Sequence, residues 1–190
     1  MIRVIAQDNL TIETHEPVGA AMVQQLTAFD EIRRAEIASI RAFVDSQKHR
    51  LKGRVLDFGA GKPGTCREPQ PYRDLVDPQA EYVPYDLGDE WPKGDFDTIL
   101  CTQVLQYVDD PWTLMFNFRG LVTDGNTLVL TYGANWPECD REDRWRFTQA
   151  GMDHMLRRAD FDIEVHERRA ELVIGCNTFA LGYGVVAVAR

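Results

Sequence analysis

One stretch constrains this chain more than any other: Val55-Leu56-Asp57-Phe58-Gly59-Ala60-Gly61-Lys62-Pro63-Gly64, an apolar run that ends in an acid and then a glycine turn. Its composition is that of a buried strand delivering a backbone loop to a ligand. Glycine permits positive φ and a close backbone approach because it has no Cβ. In open α/β sheets such loops lie at the carboxyl ends of parallel strands, where ligands bind.

Gly59, Gly61 and Gly64 match the spacing G-x-G-x-x-G, and Asp86 follows about twenty residues later, as a dinucleotide fingerprint requires. That site also needs a helix beginning at the glycines, so that its amides face a pyrophosphate. Here Pro63, Pro69 and Pro71 interrupt the segment, and helix can begin only near Tyr72. A nicotinamide-dependent oxidoreductase is therefore disfavoured.

A chain of 190 residues suits one domain with a substantial core. With 44% hydrophobic and 27% charged residues it falls in the globular class, and no apolar run is long enough to span a bilayer. The N-terminal residues lack the apolar core of a secretory signal, so a cytoplasmic location is expected. A net charge of −9 disfavours nucleic acid, which calls for a basic face. Cys66, Cys101, Cys139 and Cys176 are far apart and have no histidine at ligand spacing, so neither a metal nor a redox motif is expected.

Residues 1–50 read as an N-terminal arm and helical cap, and 51–190 as one α/β unit. Within the first part, residues 1–16 suggest a hairpin or an extended arm. From Pro17 to about His49, the residues Met22, Leu26, Phe29, Ile37, Ile40 and Val44 recur at helical steps, giving one long helix or two shorter ones. Strands are expected at 54–58, 81–86, 96–101 and 127–131. A short helix is expected near 72–76, one after Asp110-Pro111 running to Leu121, and one capped by Thr148 that places Met152, Met155, Leu156 and Ala159 on one face. Residues 161–168 and 184–190 should pair as antiparallel strands at one edge. This alternation predicts a three-layer α/β/α sandwich on a mostly parallel sheet, with the loops after residues 58, 86, 101 and 131 on one rim.

With these elements in order, the chain resembles the class I, Rossmann-like S-adenosylmethionine-dependent methyltransferases, in particular the small type 11 group. The resemblance covers roughly residues 53–190. Val55 to Gly61 is similar to the family's first motif and Tyr82-Val83-Pro84-Tyr85-Asp86 to its second strand. Phe96 to Val108 is similar to the fourth motif. Trp145-Arg146-Phe147-Thr148 resembles a block found in members tied to sugar modification.

The resemblance implies S-adenosyl-L-methionine as cofactor, held by Asp57, Gly59, Ala60, Gly61 and Gly64, with Asp86 on the ribose hydroxyls and Thr102 and Gln103 in the fourth motif. A small molecule or sugar would face Tyr107, Tyr132, Asn135, Trp136, Trp145 and Arg146, although Arg146 could equally pair with neighbouring acids. No catalytic base is assigned. Methyl transfer needs chiefly an aligned nucleophile, so proximity can supply most of the catalysis.

Three departures bear on this. Only nine residues separate Asp86 from Phe96, too few for a strand and a crossover helix, so the family's third strand and its helix should be deleted. Pro84 fits the resulting edge position. Leu87 and Trp91 are the candidate replacements for the adenine wall, with Trp91 alternatively a simple edge cover. Gln106 and Tyr107 stand where members often carry Glu and His, and Pro63 displaces the third glycine. These departures keep open a second expectation, a catalytically inactive methyltransferase-like binding or scaffold protein.

Overall fold

A computed structural model describes residues 2–6, 11–14, 22–61, 70–135, 142–174 and 176–190. Eight strands form one sheet: β1 (Ile2–Ala6), β2 (Thr11–Thr14), β3 (Arg54–Phe58), β4 (Glu81–Tyr85), β5 (Phe96–Thr102), β6 (Val122–Gly133), β7 (Phe161–Ile174) and β8 (Asn177–Ala189). Their order is β2-β1-β7-β8-β6-β5-β3-β4. The block β4-β3-β5-β6 is parallel, and β8, β7, β1 and β2 continue it in antiparallel steps. The parallel block and the C-terminal antiparallel pair are the expected core of the α/β sheet.

The pair does not close the sheet. Strand β7 runs to Ile174 and β8 begins at Asn177, and the β1–β2 hairpin adds beyond β7. At the other margin, β4 pairs only with β3, and the residues between Tyr85 and Phe96 contain turns but no helix or strand. The third strand and its helix are thus missing. Glu81 donates its N–H to Gly53 O, and Tyr85 O accepts from Gly59, so odd-numbered residues of β4 face β3. By alternation Tyr82 and Pro84 face outward, which puts the residue without an N–H on the open side.

Among the described residues, three α-helices cover the sheet. On one face α2 (Pro111–Arg119) and α3 (Gln149–Arg158) enclose a core that includes Leu56, Phe58, Ile99, Leu130, Met115, Phe118 and Leu156. Asp110 caps α2 by accepting from the N–H groups of Trp112 and Thr113, with Pro111 at the first helical position. Thr148 Oγ1 accepts from Gly151 N at 3.1 Å at the start of α3, burying Met152, Met155, Leu156 and Ala159. Thr148→Ala should lower stability by about 1 kcal/mol, read as a shift of the urea midpoint at unchanged m-value.

The opposite face carries α1 (Met22–Ser46), a single helix with no break at Arg33-Arg34. Its Ile40, Phe43 and Val44 pack over Val55, Leu100, Val129 and Val186. The expected stripe is displaced: Ile37 is 54% exposed, whereas Glu36 and Ser39 are buried. A buried arginine beneath the helix explains the rotation. Arg169 on β7 donates Nη2 to Glu36 Oε1 at 3.0 Å, Nη1 to Ser39 Oγ at 3.0 Å and Nε to Tyr183 O at 2.8 Å. Polar residues thereby occupy the core-facing side, and an apolar count alone points the helix wrongly. Among the described residues, no helix is long and apolar enough to cross a membrane.

Candidate functional site

Loops following β3, β4, β5 and β6 share one rim, as right-handed crossovers require. Gly59 sits at φ +87, and a Cβ there would lie 2.1 Å from Val104 Cγ2, so glycine is demanded by both conformation and packing. The N–H groups of Gly59 and Ala60 both donate to Tyr85 O, at 2.8 and 3.0 Å. Ala60 is buried and Gly61 has φ +76. This ties the glycine loop to the residue before Asp86. Gly64 lies outside the described residues.

Asp57 is 1% exposed on the α1 side of the sheet, and its Oδ2 accepts from the Tyr82 hydroxyl at 2.5 Å. Burial pushes its carboxyl up to about 6, against the opposing effect of the Tyr82 hydrogen bond. Nearby, Tyr72 is hydrogen-bonded to Thr102, and burial pushes its phenol up to about 12. Asp57 and Thr102 are therefore brought to one buried polar layer under α1, each with a tyrosine as partner. Gln103 follows in left-handed conformation at φ 54 and donates its N–H to Thr131 O at 3.0 Å.

Asp86 is half-buried at the end of β4. Its Oδ1 accepts from Leu87 N at 2.9 Å, and Oδ2 has no hydrogen bond to any described residue. Asp86 N donates to Asp89 Oδ2 at 2.9 Å and Asp89 N to Asp86 O at 3.0 Å, which makes the turn compact. Leu87 is exposed, and Trp91 returns to meet Phe58 and Tyr85 edge to face, each at 5.9 Å between centroids.

The substrate-side residues are arranged less openly than their types suggest. Tyr132 is fully buried, its hydroxyl bonded to His166 Nε2 at 2.7 Å, and His166 Nδ1 meets Asp153 Oδ1 at 2.5 Å. With Asp153 accepting from Nδ1–H, Nε2 accepts from the Tyr132 hydroxyl. Tyr132 thus belongs to the core beside Tyr183 and Phe147, not to a ligand-facing surface, and burial raises its phenol well above the usual range. Arg146 forks onto Asp143, with one contact of 2.6 Å, so its guanidinium serves that ion pair. Trp145 is 38% exposed and donates Nε1 to Val108 O at 2.8 Å, while Asn135 donates Nδ2 to Ala180 O at 2.9 Å. Tyr107 is half-buried in a 3-10 turn (Leu105–Tyr107), and its carbonyl accepts from Arg144. Trp136 lies outside the described residues.

His166, Asp153 and Arg169 were not foreseeable from spacing. They join partners 13 to 133 positions away on different elements, which no local motif records. Among the described residues, no cluster of three or more His, Cys, Asp or Glu could hold a metal ion.

The rim thus carries a glycine loop joined to a strand-end acid. A model of the methyltransferase domain family matches residues 29–166. The chain belongs to that family. Its cofactor is S-adenosyl-L-methionine. Solved methyltransferases share the fold at low identity. The N-methyltransferase NodS of Bradyrhizobium japonicum is 12% identical, with TM-score 0.54 over 80% of this chain and 97% of that one. Magnesium protoporphyrin IX methyltransferase of Synechocystis, solved with the cofactor bound, is 14% identical, with TM-score 0.53 over 93% and 88%. A chain from the Haloferax volcanii complex of a methyltransferase activator with a methyltransferase is 16% identical, with TM-score 0.55 over 82% and 93%. Comparison with curated proteins returns no match.

The residues of the methyltransferase rim fit this cofactor at two points and deviate at one. Gly59 keeps the loop free of a side chain, and Asp86 has an acceptor oxygen with no described partner. Asp57 deviates, because Tyr82 already occupies one of its oxygens.

Proposed function

We propose that this methyltransferase transfers a methyl group to a hydroxyl of a small molecule or sugar, chiefly by holding the reactants in line. The observation that carries this reading is Asp86: a half-buried carboxylate at the end of β4, fixed by the Asp86–Asp89 turn, with one oxygen that no described residue hydrogen-bonds. An ionised carboxylate accepts two such bonds. When bound, the cofactor supplies an electrophilic methyl carbon on a positively charged sulfur. The chain's part is to bind, orient and exclude water. Gly59 and Gly61 let backbone approach the methionine portion, and Thr102 and Gln103 line the same rim at the end of β5.

Proximity rather than base catalysis is favoured because the position after β5 offers Gln106 and Tyr107. Neither side chain takes up a proton near neutral pH. Tyr132 is committed to His166 and Arg146 to Asp143. With no side chain placed to take it, the hydroxyl proton would be left to solvent.

Calorimetric titration with S-adenosylhomocysteine tests the reading. Binding in the micromolar range is expected, and Asp86→Ala should weaken it ten- to a hundredfold while the far-UV spectrum is unchanged. Absence of binding at millimolar ligand would sink the reading, and unchanged affinity in Asp86→Ala would remove the ribose role.

A specific observation also supports a second reading, the binding or scaffold protein. One acceptor oxygen of Asp57 and the amides of Gly59 and Ala60 are satisfied within the chain. A stable complex with another protein, in a chain without cofactor affinity, would favour it.

A further inference from the structure

The missing third strand leaves the open side of β4 without the wall that a following strand and helix would build. The turn after β4 returns a large aromatic to the sheet face over β3 and β4. Trp91 lies edge to face on Phe58 at 62° and on Tyr85 at 71°, and Phe58 and Tyr85 are stacked at 4.6 Å. The indole therefore rests on the two rings that end β3 and β4, one residue from Asp86 through Tyr85.

Covering those rings uses only part of the indole. Trp91 remains 37% exposed and Leu87, on the other side of the turn, 42% exposed. The two hydrogen bonds between Asp86 and Asp89 hold the turn that carries Leu87 and leads to Trp91. A ribose whose hydroxyls are held by Asp86 carries its base only a few ångströms away. A flat apolar surface next to a sugar-binding carboxylate suits a purine, because every base presents a π-face to an aromatic ring.

Resting on the Asp86 assignment above, we propose that Trp91, seated on Phe58 and Tyr85, is the wall on which the purine of the bound nucleoside stacks, with Leu87 closing the edge. A ring taken from the turn thereby replaces a strand and a helix.

The test uses the whole chain, with S-adenosylhomocysteine as probe and two variants. Trp91→Leu should weaken calorimetric affinity about tenfold or more, the range found when an aromatic is removed from beneath a base. Trp91→Phe keeps a π-face and should stay within about threefold of the parent. Probe binding should also quench the tryptophan emission of the parent, and Trp91→Phe should abolish that quench. Should Trp91→Leu fail to fold, the emission comparison decides alone.

Parent binding with a quench that persists in Trp91→Phe would overturn the proposal and leave the Asp86 reading standing. So would a folded Trp91→Leu that binds as tightly as the parent. A parent that does not bind the probe would overturn both.

Discussion

Replacing Arg169 by methionine is expected to lower stability by about 3–5 kcal/mol, and much of that loss should return when Glu36 is replaced by leucine in the same chain. The guanidinium is fully buried, and Glu36, with its side chain only 10% exposed, is its carboxylate partner. Removing the cation leaves a carboxylate with no opposite charge in a poorly hydrated place. It also strips donors from Tyr183 O and Ser39 Oγ. Removing both charges leaves only packing and three hydrogen-bonding groups, Tyr183 O, Ser39 Oγ and Tyr132 O, to satisfy, so the double variant should be milder than Arg169→Met alone. Urea titrations of the parent, both single variants and the double variant give the coupling directly. Strictly additive losses would show that the ion pair does not act as a unit. The site is built for this side chain: a Cβ at Gly182 would lie 2.3 Å from Arg169 Nη2.

Asp57→Asn is expected to act in the other direction, stabilising the protein at neutral pH. The folded-state carboxyl is raised by burial from 3.8 to about 6. Its charged form is thus less favourable in the fold than in the unfolded chain. Stability is unaffected by this group below about pH 4, declines as pH rises toward 6, and above that carries a penalty of up to about 3 kcal/mol. Asparagine keeps the acceptor for the Tyr82 hydroxyl and removes the ionisation. Its amide N–H groups need partners of their own, so a gain of about 1–3 kcal/mol is the expected range. Thermal unfolding at pH 4 and pH 7.5 checks it: the two proteins should nearly coincide at the lower pH and separate by several degrees at the higher. Equal destabilisation at both values would refute the assignment.

How far the sequence could be read depended on how local each signal was. The run from Val55 to Phe58, the Asp110-Pro111 helix start and the Thr148 cap are short-range patterns, and each appears within a residue or two of its expected place. The deletion after Asp86 was equally legible, because chain length between two strands is a hard limit on what can cross a sheet. The full extent of β7 and β8 was not. The expected strands stop at Arg168 and begin at Gly184, whereas β7 and β8 run on past both through a register shift between Arg168 and Ala170, where Arg169 fills the space above Gly182. For the same reason the buried face of α1 was misjudged through Ile37. The candidate site shows a similar division. Positions along the rim follow from strand ends, whereas the pairings Tyr82–Asp57, Tyr132–His166–Asp153 and Arg146–Asp143 depend on three-dimensional neighbours, and they decide which side chains remain available to a ligand.

Pro84 shows what it takes for a sheet to lose a strand. A former interior ladder becomes a boundary, and a bare boundary is a template on which copies of the same chain can zip together. Because the imino acid falls on the outward-facing register of β4, that boundary lacks one of its two donors over Glu81–Tyr85. The residue that reads as an irregularity in a strand thus makes that boundary a poorer template for a further strand.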